Sequence, residues 1–174
     1  RNGGDTATEV KVVGGDLESV NPAGRAPGTT VAVRDLFFNT PARRKFLKTE
    51  ATEFAHVNRV VTRYALANPA VAVSLSHDDK QVFATTGRGD LRETIHSVYG
   101  REVANGMVPV EAESDGRIES IGGYVSDPET TRSTGEYVAT FVNGRYVQAS
   151  VLREAIVSGY GKQLAADRFP FAVV

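Results

Sequence analysis

The sequence predicts an α+β fold, and three observations carry that prediction. Apolar residues recur at helical spacing in Phe54, Val57, Val61, Tyr64 and Ala65, and again in Leu91, Ile95 and Val98. Alternating or β-branched runs stand around them, at residues 29–33, 71–76 and 137–142. Two turns join such runs locally: Asp78-Asp79, and Asn143-Gly144, the strongest short-range hairpin signal in the chain.

In chain order, residues 9–13 alternate weakly and meet Gly14-Gly15, a strand followed by a turn. Residues 21–28 carry Pro22, Gly24, Pro27 and Gly28 and form a loop. Residues 29–33 are expected as a strand. Thr40 is placed to cap a short helix with Pro41 at its first position, where the missing N–H costs nothing. The longer helix through Phe54 ends at Asn68-Pro69. A hairpin spans residues 71–85. Thr86-Gly87-Arg88-Gly89 is the linker candidate, dividing the chain near residue 88. Asp90 and Glu93 then have capping-box spacing, and Gly100 stops the helix they open. Strands are expected at residues 117–125, 137–142 and 145–147. Ser150 caps a last helix that buries Leu152, Ala155, Ile156 and Tyr160, and residues 169–174 form a final strand.

Composition removes several function classes. The 174 residues carry 20 Lys plus Arg against 21 Asp plus Glu, a net charge of −1, with 41% apolar residues. No run approaches the ~20 apolar residues of a membrane span, and no signal peptide is visible. Without cysteine there is no disulfide, thiolate nucleophile or cysteine-ligated zinc. His56, His77 and His96 lack metal-ligand spacing, so no metal site is expected. No catalytic residue is expected either, since phosphate loop, nucleophile elbow and zinc-helix motifs are missing. The chain opens on Arg-Asn-Gly-Gly, has Met107 as its one methionine and ends on an apolar run, so it is expected to be a piece of something longer.

Charge is unevenly distributed. Residues 41–63 hold six basic and two acidic side chains, a balance of +4; residues 102–136 hold eight acidic and two basic, a balance of −6. A single-sign patch can bind polyanions on a neutral protein, although a solvated face explains either stretch as well. If residues 41–48 are helical, Arg44 and Lys48 share a face beside Lys45, with Phe46 and Leu47 buried opposite. Three stacked cations repel one another, a cost that a bound anion would offset.

The run GTTVAVRDLFFNTPARRKFLKTEATEF, residues 28–54, closely resembles the signature segment of the MutL family of DNA mismatch-repair proteins. The resemblance continues through SLSHDDK (74–80), GGYVSDP (122–128) and FVNGRYV (141–147), in the family's order. It implies that residues 1–86 are the C-terminal part of a GHKL-type ATPase module and residues 90–174 a transducer domain similar to the second domain of ribosomal protein S-five, truncated at its C-terminus. It further implies a parent that binds ATP with Mg, dimerises with itself or a related MutL subunit, and passes a mismatch signal from a mismatch-recognition protein to a downstream nuclease or helicase. DNA would be its polyanion and, in a prokaryote, the nucleoid-containing cytoplasm its location, away from membranes. The family's catalytic Glu, metal-binding Asn, adenine-pocket Asp and lid lie upstream of Arg1, and its γ-phosphate Lys beyond Val174. The chain alone is therefore expected to be inactive and to bind nucleotide poorly. Gly28 and Thr29 match the Gly-Thr pair beside the adenine pocket. Lys45 and Lys48, with Arg44 in the same segment, match basic positions facing the DNA groove, and Arg145 matches the Arg of the NGR turn. Where some relatives carry a groove Arg this chain has Ser150, with Arg153 one turn along. Two other readings remain: a nucleotide-independent nucleic-acid-binding α+β module, and an interaction domain whose acidic 102–136 stretch meets a basic partner.

Overall fold

The structure, a computed structural model, describes residues 6–113, 116 and 120–174. Contacts group the chain into two compact units, residues 1–53 and 54–174.

In the first unit, β1 (Ala7–Val13) and β2 (Asp16–Ala23) form an antiparallel hairpin, pairing from Ala7 with Ala23 to Val13 with Asp16. Gly14 and Gly15 make the turn at φ 65° and 107°, and the Asn39 amide donates to the Gly14 carbonyl at 3.2 Å. β2 extends across Pro22, into the region expected as loop. The strand expected at residues 29–33 does not form. A strand exists by pairing, and no described segment pairs with this one; Val31 is 82% exposed. α1 (Pro41–Arg44) does have Pro41 in its first turn, but Thr40 makes no side-chain cap bond, and the helix ends after four residues. Lys48 therefore lies beyond it, so Arg44 and Lys48 share no helical face. Phe46, expected to be buried, is 79% exposed. Thr49 opens α2 (Glu50–Ala67): its carbonyl accepts from the Glu53 N–H at 3.0 Å, and the Glu53 carboxylate accepts from the Lys48 N–H at 2.8 Å. No described residue of this unit is buried.

The second unit has a core. Leu66 of α2 packs with Ile95, Val103, Ala104, Met107, Phe171 and Val173. The buried residues of α2 are Thr62, Ala65 and Leu66, while Val57 and Tyr64 of the expected face point outward. β3 (Ser74–His77) and β4 (Lys80–Ala84) form the expected hairpin across Asp78 and Asp79, both at positive φ. The 86–89 segment is an anchored turn rather than a linker. Gly89 donates to the Pro69 carbonyl, the Thr86 hydroxyl to Glu93, and a Cβ on Gly87 would lie 2.5 Å from the Ala72 nitrogen. Asp90 caps α3 (Leu91–Tyr99) by accepting from the Glu93 N–H at 3.0 Å; Gly100, φ 90°, ends it and α4 (Arg101–Asn105) follows.

The main sheet has five strands. β5 (Met107–Glu113) and β6 (Ser120–Ser126) are antiparallel, β8 (Val138–Val142) and β9 (Arg145–Val147) pair across Asn143-Gly144, and β11 (Ala172–Val173) joins them. The order is β5-β6-β11-β8-β9, with β11 parallel to β8 and antiparallel to β6. Residues 117–119 of the expected strand lie outside the described residues. The expected strand over residues 169–174 divides: β10 (Phe169–Pro170) pairs with β7 (Thr131–Arg132), then Phe171 turns into the core and β11 enters the sheet. Gly123 makes that entry possible, since a Cβ there would stand 2.0 Å from the Val173 carbonyl oxygen. Ser126 fastens the other side: its N–H donates to the Phe171 carbonyl at 2.8 Å, and its hydroxyl accepts from the Phe171 N–H at 3.1 Å. α5 (Ser150–Gly159) follows β9; Ala149, not Ser150, is the capping position, with no side-chain cap bond. Leu152 and Ile156 of α5 and Tyr160 at its C-cap are half-buried, and Ala155 is exposed. The helix and strand content bears out the α+β class.

Candidate nucleic-acid interface

The residues expected to meet nucleotide and DNA fall in both units. In the first, Gly28 adopts φ 138°, and the position a Cβ would take is open space. Glycine there serves backbone conformation rather than a close approach of other atoms. Thr29 beside it is exposed, as are Arg44, Lys45 and Lys48. Arg44 closes the last turn of α1, a favourable place for a cation at a helix C-terminus. Lys45 follows at the helix C-cap, and Lys48 lies beyond it.

In the second unit Arg59 and Arg63 are half-buried against neighbouring side chains, while Arg132 and Arg153 are exposed. Arg59 and Arg63 lie one turn apart on α2. The Arg59 Nη2 reaches the Glu136 carboxylate at 3.1 Å, and the Arg63 guanidinium lies 3.9 Å over the Tyr146 ring. Arg132 stands 4.8 Å over the Phe171 ring. A Cβ on Gly135 would meet the Arg153 Cδ at 3.0 Å, so the Arg153 stem lies close against that glycine. Two cavities share Arg59, Arg63 and Glu136 in their walls. One, of about 360 Å³, also takes in Arg132, Tyr99 and Asn58. The other, of about 510 Å³, takes in Arg153, Ser150 and Tyr146. Arg145, at the tip of the β8–β9 hairpin, is exposed and lines neither.

The electrostatics of this cleft are one-sided. Glu136 is the one carboxylate among the residues lining these two cavities, against four arginines. Arg63, Arg132 and Arg153 make no ion pair among the described residues. The Arg59–Glu136 pair is partly exposed, and such pairs contribute about 0.2–1 kcal/mol, so it is readily opened. Tyr99, at the cavity wall, has its phenol pushed well above the ordinary range by burial and then by Tyr137, with Arg63 opposing. It stays neutral and contributes no charge. Guanidinium groups held at aromatic faces beside an open cavity can donate to phosphate oxygens without large rearrangement.

Arg59 and Arg63 enter the sequence-level charge balance but were not singled out as site residues. Their i,i+4 spacing on α2 is the sequence signal that could have found them. The walls that complete the cleft come from residues 132–153, whose proximity no local pattern encodes.

Comparison with known proteins fits this frame. The family model "DNA mismatch repair protein, C-terminal domain" matches residues 95–174. The DNA mismatch repair protein MutL of Halobacterium salinarum is 62% identical over 175 residues, covering 100% of this chain and 27% of that protein. MutL of Lacticaseibacillus casei is 43% identical over 168 residues, covering 96% of this chain and 25% of its own length. Among solved structures, the Aquifex aeolicus MutL ATPase domain complexed with ADP superposes with a TM-score of 0.72 at 28% identity, covering 97% of this chain and 62% of that one. The chain belongs to the MutL family, and it spans about a quarter of the length of the curated relatives it matches.

Proposed function

We propose that this chain is the part of a MutL-type mismatch-repair ATPase that couples nucleotide-driven dimerisation to DNA contact. One observation carries the DNA part: Arg59, Arg63 and Arg153 line a single cleft of about 510 Å³. In the first unit Lys45 and Lys48, with Arg44, are further phosphate contacts in this reading, and Arg145 in the second unit is another. Residues 1–86 belong in this reading to the ATPase module and residues 90–174 to the transducer. Gly28 and Thr29 border the adenine in the parent, where ATP and Mg bind. A second MutL subunit, a mismatch-recognition protein and a nuclease or helicase are its protein partners. The role of this chain is coupling and contact rather than chemistry.

The contacts expected are to phosphates, so binding is sequence-independent. Fluorescence anisotropy with a labelled duplex across a salt series tests this. Three or four phosphate contacts give a slope of about −3 in log affinity against log salt. Lys45→Glu with Lys48→Glu should weaken binding to every sequence alike and flatten the slope by roughly two. Unchanged affinity and slope in that double variant would make these lysines a solvated face.

A further inference from the structure

Within the cleft, Glu136 is out of keeping with its surroundings. It stands in the walls of both cavities, where every other charged lining residue is an arginine. Its carboxylate meets the Arg59 Nη2 at 3.1 Å, the arrangement a phosphate oxygen would adopt toward the same guanidinium.

Its backbone is anchored and its side chain is not. Glu136 sits in the 3₁₀ turn Gly135–Tyr137. On one side Tyr137 packs against Phe171 with ring centroids 4.8 Å apart. On the other, Gly135 lies beneath Arg153. The Glu136 side chain itself is 53% exposed. It can leave Arg59 by rotating into solvent while the turn stays fixed.

We propose that Glu136 is a resident competitor for phosphate: it holds the Arg59 end of the cleft closed until a phosphodiester of the nucleic acid displaces it. This rests on the DNA-contact reading above and deepens it, because it names the residue that weakens and tunes that contact. A phosphate entering the cleft must first break the Arg59–Glu136 pair, and the released carboxylate rotates into solvent. The net effect of Glu136 on binding is unfavourable, so removing its charge strengthens binding. The arrangement disfavours isolated anions, which must break the pair for a single contact. It tolerates a polymer, which brings further phosphates to Arg63 and Arg153.

The test compares wild type, Glu136→Gln, Arg59→Gln and the double variant by anisotropy with a labelled duplex across a salt series. Circular dichroism and thermal melting confirm that each is folded, and Glu136→Ala serves as a second charge-removing variant. Glu136→Gln should bind about two- to fivefold tighter at low salt, the strength of an exposed ion pair. Its slope should steepen by up to about 0.9, because no freed carboxylate takes up a cation as phosphate reaches Arg59. That gain should vanish in the Arg59→Gln background. Equal or weaker binding by both Glu136 variants, or a gain that persists without Arg59, overturns the proposal. A parallel titration with inorganic tripolyphosphate, followed by the arginine Nε–H resonances, separates this failure from that of the DNA reading. If wild type shows no salt-dependent DNA binding, the DNA reading fails. The competitor role then stands only if tripolyphosphate shifts the Arg59 resonance at lower concentration in Glu136→Gln than in wild type, and falls if the two titrate alike.

Discussion

The two units handle the same kinds of residue differently. In the first, Val10 and Val12 of β1 stand opposite Val20 and Leu17 of β2, and all four are more than half exposed. In the second, Ile95 and Phe171 are at most 1% exposed, inside a cluster that draws on α2, α3, α4 and two strands. Cations follow the same division. Arg44 ends the short helix α1 and Lys45 and Lys48 follow it, all three exposed, whereas Arg63 and Arg132 lie over aromatic rings. The lesson is that a functional surface acquires defined geometry only where a core lies behind it. Charge density alone marks both regions; packing organises one of them.

That contrast can be broken by mutation, most strongly in the core. Phe171→Ala should cost the second unit about 3–5 kcal/mol, read from urea unfolding, because it empties the centre of the cluster. Gly123→Ala should cost about 1–3 kcal/mol, since its methyl would collide with the Val173 carbonyl and its backbone stands at φ 149°. Loss of amide protection at Tyr124 and Val173, partners in the β6–β11 register, would localise that damage to this pairing.

A pH measurement sharpens the comparison with a smaller effect. The Tyr99 phenol is raised above its ordinary value of 10.0 in the folded chain, mainly by burial. Folding therefore favours the neutral form. The contribution is fully present below pH 10 and is lost as pH rises beyond it, when the unfolded chain ionises more readily. Tyr99→Phe should flatten the alkaline fall in stability and leave its pH dependence near neutrality unchanged. An identical alkaline slope in the two proteins would show that this phenol is not the group responsible. The smallest effect belongs to the first unit: Val12→Ala should change stability by no more than about 0.5 kcal/mol, because its side chain packs in no core. A change as large as that of Phe171→Ala would mean that the hairpin face is covered.

Much of the second unit was legible in the sequence because its signals are local. Asp78-Asp79 and Asn143-Gly144 specify their hairpins through positive φ. Asp90 and Glu93 have capping spacing, and the structure makes the expected bond. What failed depended on distant partners. Residues 29–33 have strand composition but no strand to pair with, and β5 carries Pro109, which hides a strand that β6 completes. The helix expected across residues 41–48 ends at Arg44, so apolar Phe46 lies outside it and outside any core. At the candidate site, Lys45, Lys48 and Arg145 came from resemblance to a known segment. Arg153 joined Arg59 and Arg63 only when the fold brought α2, the Gly135–Tyr137 turn and α5 around one cavity. Ser150, the departure from the family's pattern, lines that same cavity beside Arg59, Arg63 and Arg153.

The proposal that the packed cleft of the second unit receives the phosphate backbone is tested most directly by Arg63→Gln with Arg153→Gln. Both substitutions keep hydrogen-bonding capacity and remove charge. The measurement is duplex affinity across a salt series, beside wild type and Lys45→Glu with Lys48→Glu. The account predicts lower affinity for every sequence and a slope flattened by roughly two, with the melting profile retained. Wild-type affinity and slope in a folded Arg63→Gln, Arg153→Gln protein would contradict it and leave the organised cleft without a role in DNA contact.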